Sequence, residues 1–168
     1  MAKTESFDIT TGVDLQEVDN AINQAMKEIG QRYDFKNLVV EITLDRKENK
    51  VHLDAPDEFK LGAVWEILAA KMIKRSVPVK NLHRGKPEVG SHGRARQMVE
   101  LAQGLDSDTT RKIAKAIKDA GLKKVQVSIQ GDQVRVSGPS RDELQKVIQM
   151  LRAEDWGVEL KFGNYRSN

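Results

Sequence analysis

KKVQVSIQGDQVRVSGPSRDELQKVIQML, residues 123–151, changes period twice within one stretch. Val125, Val127 and Ile129 alternate with Gln126, Ser128 and Gln130. Gly131-Asp132 interrupts, and Val134 and Val136 then alternate with Arg135 and Ser137. Period two on both sides of a turn predicts a β-hairpin with one apolar face. Gly138-Pro139 ends the second strand, and Ser140 with Glu143 three residues on has the spacing of a capping box. Leu144, Val147, Ile148 and Leu151 then follow the i, i+3, i+4, i+7 pattern of one helix face.

The same unit is written once before. Val40, Ile42 and Leu44 alternate with polar residues, Arg46 to Asn49 make a polar turn, and Val51 and Leu53 return. Ala55-Pro56-Asp57 opens a helix predicted to place Phe59, Val64, Trp65, Leu68 and Met72 on one face. Each unit follows a strand and a helix. Phe7 and Ile9 precede the stripe Leu15, Val18, Ile22, Ala25, Met26, Ile29. Met98, Val99 and Leu101 precede Ile113, Ala116, Ile117 and Ala120. Val77 with Val79, and Val158 with Leu160 and Phe162, supply predicted closing strands.

Laid side by side, Phe7-Asp8-Ile9 matches Val99-Glu100-Leu101, Gly12 matches Gly104, and Val51–Asp54 matches Val134–Ser137. Each half reads β-α-β-β-α-β, so the expected fold is α+β. It is a tandem duplication of two ferredoxin-like domains, each a four-stranded antiparallel sheet with two helices on one face. The expected domains are 1–88 and 89–168. Residues 80–93, with three glycines, one proline and no periodicity, read as a linker or mobile loop.

Charged residues make up 32% of the 168 positions, there is no cysteine, and no apolar run approaches the ~20 residues of a membrane span. The first residues lack the apolar core of a signal peptide, so the expected compartment is the cytoplasm. Net charge is +3 but unevenly placed. From Lys71 to Arg96 eight cations face Glu88 alone, seven net positive charges, which leaves the remainder four net negative. Such a segment suits a partner bearing phosphates.

The expected nucleotide-binding residues are Lys74, Arg75, Arg84, Lys86, Arg94 and Arg96 of this segment, with Arg32 beside Tyr33 and Arg135 on the second hairpin. Arginine would bind phosphate as a fork and lysine as a point charge. No Gly-x-Gly-x-x-Gly order and no Walker loop is present, which argues against nucleoside triphosphate hydrolysis. Neither hairpin carries the strand aromatics on which RNA-recognition sheets stack bases. With three histidines and no cysteine, no metal site, cofactor or Ser–His–Asp arrangement is expected. The paired carboxylates Asp57-Glu58 and Asp142-Glu143 fall in first helical turns, where the helix dipole accounts for them.

Several segments resemble the YajQ family in order along nearly the whole chain. They are Ser6-Phe7-Asp8-Ile9, Arg32-Tyr33-Asp34-Phe35-Lys36, Asp57–Leu61, Lys74-Arg75, Gln103-Gly104-Leu105, Ile117-Lys118-Asp119, Ile129–Asp132 and Phe162-Gly163-Asn164-Tyr165-Arg166. The resemblance implies paired ferredoxin-like domains whose first strands are exchanged between the halves. It also implies a nucleotide-binding protein with guanine nucleotide, transfer RNA or cyclic di-GMP as ligand. The family's Lys-Leu-Lys before Gln-Gly is here Glu100-Leu101-Ala102, so those lysines are absent.

The function expected is therefore non-catalytic binding of a nucleotide or RNA through the basic inter-domain segment. The alternative is an interaction adaptor that docks an acidic protein partner on the same strip.

Overall fold

The alternation at 125–137 forms the hairpin it predicts. In a computed structural model that describes residues 4–167, Val127 lies opposite Val136 and Ile129 opposite Val134. The elements run β1 (Glu5–Thr10), α1 (Leu15–Gln31), β2 (Glu41–Asp45), β3 (Lys50–Ala55), α2 (Glu58–Lys74), β4 (Leu82–Arg84) and β5 (Glu88–Val89). They continue as β6 (Ala95–Leu101), α3 (Ser107–Asp119), β7 (Gln126–Gln130), β8 (Gln133–Gly138), α4 (Arg141–Arg152) and β9 (Lys161–Ser167).

Strand β1 does not join the hairpin that follows it. It lies between β8 and β9, in the order β7-β8-β1-β9, while β6 lies between β3 and β4, in the order β2-β3-β6-β4 with β5 also on β6. All these pairings are antiparallel. The fold is α+β with two antiparallel sheets and four α-helices among the described residues, compatible with two ferredoxin-like units whose first strands are exchanged. Burial explains the exchange. Phe7 and Ile9 are enclosed with Val134, Val136, Leu144 and Leu151, and Ala95, Val99 and Leu101 with Val51, Leu53 and Leu68.

The compact units are consequently discontinuous, where the linear reading divides the chain at 88/89. The described residues up to Gly12 join those from Gly104 onward, and Val13–Gln103 form the other unit. The latter closes on itself at its ends: Val13 N–H donates to Gln103 Oε1 at 2.8 Å, and Gln103 Nε2 donates to Asn49 Oδ1 at 3.3 Å. In the former, Leu105 N–H donates to the Asp132 carbonyl at 3.1 Å, and a Cβ at position 104 would run into the Asp132 side chain. Two short motifs far apart in sequence, Gln103-Gly104 and Gly131-Asp132, thus meet where only glycine fits.

In the Val13–Gln103 unit, α1 buries Val18, Ala21, Ile22, Ala25 and Ile29, and Asp14 caps it by accepting from Gln16 N–H at 2.9 Å. Helix α2 buries Leu61, Val64, Trp65, Ile67, Leu68 and Met72, and Asp57 caps it by accepting from Lys60 N–H at 2.7 Å. Phe59 departs from its expected place in the core and is 83% exposed. It sits two residues, about 200° of helix turn, from Leu61 and so faces away.

Three further local readings are corrected. Val77 is buried outside any strand, and β4 at Leu82–Arg84 closes the sheet by pairing with β6. Residues 80–93 are not a free linker, because β4 and β5 both hydrogen-bond to β6. Ser140 precedes α4 but its side chain makes no cap bond, and the Glu143 carboxylate accepts from Lys146 Nζ at 3.1 Å instead. The repeat also matches in element order more closely than in register. Under the sequence offsets Asp8–Arg135 would map onto Glu100–His52, yet His52 faces Met98, two residues away. No helix among the described residues is long and apolar enough to cross a membrane.

Candidate functional site

Strand alternation sends Phe7, Ile9, Val134 and Val136 inward, so Ser6, Asp8, Gln133, Arg135 and Ser137 occupy the opposite face of the same sheet. Asp8 lies directly across from Arg135 on β8 and Gly163 on β9. The β1–β9 register shifts between Ser6 and Asp8, and Asn164 takes a left-handed φ of 54°. Asparagine tolerates that conformation better than most residues. The bulge aims its amide at the buried carboxylate, with Asn164 Nδ2 donating to Asp8 Oδ2 at 2.6 Å.

Two arginines complete the cluster. Arg135 Nε donates to Asp8 Oδ1 at 2.9 Å, and Arg166 Nη2 donates to the same oxygen at 3.3 Å. Arg166 Nε donates to Ser6 Oγ at 3.3 Å. Asp8 is 4% exposed, and the Arg135 bond is the main reason its carboxyl is held below the usual range. Burial opposes that effect, while Asn164 and the charges of both arginines add to it. The arginine side chains remain about a third exposed, so their outer N–H groups face solvent from an anchored base. Lys161, across from Thr10, adds a third cation to this face, and Gln126, Ser128 and Gln130 add exposed amides and a hydroxyl. A small hollow of about 200 Å³ lies beside Asp8, Gln133 and Asn164.

The corresponding face of the β2-β3-β6-β4 sheet has the opposite character. Its rows hold Glu41, Asp54, Arg96 and Glu88, then Thr43, His52 and Met98, then Asp45, Lys50, Glu100 and His83. Carboxylates outnumber cations, as the acidic first hairpin predicts. Arg94 and Arg96 are both on this face and both bonded to Asp54, through Arg94 Nε at 2.8 Å and Arg96 Nε at 3.2 Å.

The eight residues expected to bind phosphate are therefore dispersed. Arg75 forks onto Glu17 at 2.6 and 3.0 Å, and this hydrogen bond holds the Glu17 carboxyl below its usual range. Lys74 stands exposed in a groove of about 530 Å³ between the last turns of α1 and α2, beside Lys27, Lys71 and Glu28. Lys71 is paired to Glu28 at 3.0 Å. Lys71 and Lys74 also lie in the last turn of α2, where cations answer the negative end of that helix dipole. Arg84 stacks over Trp65 at 4.6 Å and donates to Gln97 Oε1 at 3.3 Å. Lys86 is exposed between β4 and β5. Arg32 is forked onto Asp34 at 3.0 and 3.1 Å. All of these lie within the Val13–Gln103 unit, and Arg135 alone lies in the other.

Sequence reasoning missed Asp8, Asn164 and Arg166 as partners of Arg135. The signal was present in Ser6–Ile9 and Phe162–Arg166, two of the motifs that carry the family resemblance at opposite ends of the chain. Strand exchange makes them neighbours. Among the described residues no group of three or more His, Asp or Glu could hold a metal ion.

A family model described as nucleotide-binding protein YajQ-like matches residues 5–166. A "nucleotide-binding protein" of Alkaliphilus oremlandii is 49% identical over 166 residues, 99% of this chain and the full length of the relative. Proteins of the same description from Chloroherpeton thalassium and Heliobacterium modesticaldum are 46% and 49% identical, each over 99% of this chain and their own full length. The chain belongs to the YajQ-like family of nucleotide-binding proteins.

Proposed function

We propose that this is a cytoplasmic, non-catalytic nucleotide-binding protein that holds phosphates on the open face of the β7-β8-β1-β9 sheet. Arg135 and Arg166 are the phosphate ligands, Asp8 and Asn164 position them, and the amides of Gln126, Gln130 and Gln133 are available to a base edge. One observation carries the reading: a single buried carboxylate anchors two arginines side by side while leaving each about a third exposed. Preorganised forks lose less side-chain entropy on meeting a phosphate, and charge-assisted bonds contribute about 1.5–3 kcal/mol each.

Binding rather than turnover fits the same geometry. Asp8 is ionised and accepts from three donors, so it has no role left as a general base. The names of the relatives support a nucleotide as the ligand class. The test is a titration followed by side-chain NMR with guanosine triphosphate, cyclic di-GMP and RNA in separate arms. The reading expects the Arg135, Arg166 and Asn164 resonances to move with at least one ligand. Shifts confined to Lys74 and Arg75 would move the site to the helix groove.

A further inference from the structure

The turn between α1 and β2 displays an aromatic ring on an unusually well-braced support. Tyr33 opens a 3-10 turn, Tyr33–Phe35, and is 87% exposed. Phe35, two residues on, is buried, with Arg32 at 5.8 Å and Lys60 at 4.8 Å from its ring. Lys60 Nζ also donates to the Asp34 carbonyl, which ties the first turn of α2 to this corner. Arg32 grips the Asp34 carboxylate, holding that carboxyl below its usual range. The corner's own acid is thus spent internally, while Lys36 Nζ lies 5.9 Å over the Tyr33 ring.

A cavity of about 430 Å³ opens here, bordered by Gln31, Arg32, Tyr33, Lys36 and Asn37, and no carboxylate lines it. The acidic sheet cleft of the same unit contrasts with it, with Glu41, Asp54 and Glu88 at its wall. An exposed ring, Lys36 beside it, two side-chain amides and no lining acid together complement a flat π-system attached to phosphate.

We propose that the Tyr33 corner is a base-stacking subsite for single-stranded nucleic acid, with Tyr33 as the platform and Lys36 on the adjoining phosphate. Stacking of a base on an aromatic ring tolerates any sequence, because every base has a π-face. The subsite does not rest on the sheet-face reading, since it lies in the other compact unit.

The test uses the full-length protein and a fluorescent oligouridylate, read by anisotropy over a series of salt concentrations. Tyr33→Ala is expected to weaken binding about tenfold, and Tyr33→Phe to stay within about twofold, since the ring and not the hydroxyl stacks. Lys36→Ala is expected to lower the log–log salt slope by about one. The exposure of both side chains leaves the fold intact. Unchanged affinity in Tyr33→Ala, an equal loss in Tyr33→Phe, or no oligouridylate binding by the wild type overturns the proposal. Loss in an Arg135→Ala, Arg166→Ala double variant but not in Tyr33→Ala also overturns it, while leaving the sheet-face site standing. Loss in Tyr33→Ala supports it whatever the double variant does.

Discussion

Asp8 Oδ1 accepts from Arg135 Nε at 2.9 Å across 127 positions of chain. The contact exists because β1 is exchanged into the sheet of the later half, and it gives the molecule both a structural tie and an arginine aimed outward.

Removing the carboxylate leaves two arginines without their anchor. Asp8→Ala is expected to lower stability at neutral pH by about 2 kcal/mol, less than the cost of breaking a fully buried pair because both guanidinium groups can rehydrate. The pH dependence has a definite sign. The folded-state pKa of Asp8 lies below its unfolded value, so the stabilisation is complete above the unfolded value. It is lost as pH falls below about 4 and through the folded pKa. Urea denaturation at pH 7 and pH 3 checks this: the gap between wild type and Asp8→Ala narrows in acid.

Strand exchange can be read with the two tryptophans, because Trp65 and Trp156 report on different compact units. Phe7 is 2% exposed in the core that Trp156 packs against. Phe7→Ala is expected to cost about 3–5 kcal/mol. In Trp65→Phe and Trp156→Phe backgrounds, the transition seen by Trp156 moves to lower denaturant first. An earlier shift at Trp65 would place β1 in the wrong sheet.

Arg84 tests whether a cation stacked on a ring also contributes to nucleotide binding. Its guanidinium lies 4.6 Å from the Trp65 ring centroid and bonds to Gln97. Arg84→Ala is expected to cost about 1 kcal/mol and to shift Trp65 emission to the red, with nucleotide affinity unchanged. Equilibrium unfolding, fluorescence and calorimetry on one variant check all three.

The hairpins were legible because alternation is local: Val125–Val136 and Val40–Leu53 state their own pairing. The helix stripes were equally plain, except where one turn put Phe59 on the wrong side of α2. Strand exchange was not legible in periodicity, because nothing in Phe7-Asp8-Ile9 tells β8 from β3 as its neighbour. The family resemblance carried that expectation. The spatial spread of the basic segment was not legible either. Lys71 to Arg96 is contiguous in sequence, but a helix end, an edge strand and a central strand divide it. Arg84 turns to Trp65, while Arg94 and Arg96 turn to Asp54. The role of Asp8 is not legible in its own strand, since its partners lie at 135, 164 and 166.

Arg135 and Arg166, anchored by Asp8, are the proposed phosphate ligands of a bound nucleotide. Calorimetric titration of the wild type and the Arg135→Ala, Arg166→Ala double variant with guanosine triphosphate and with cyclic di-GMP tests it most directly. At least a tenfold loss of affinity is expected in the double variant for whichever nucleotide the wild type binds. Wild-type affinity in the double variant for that nucleotide would contradict it.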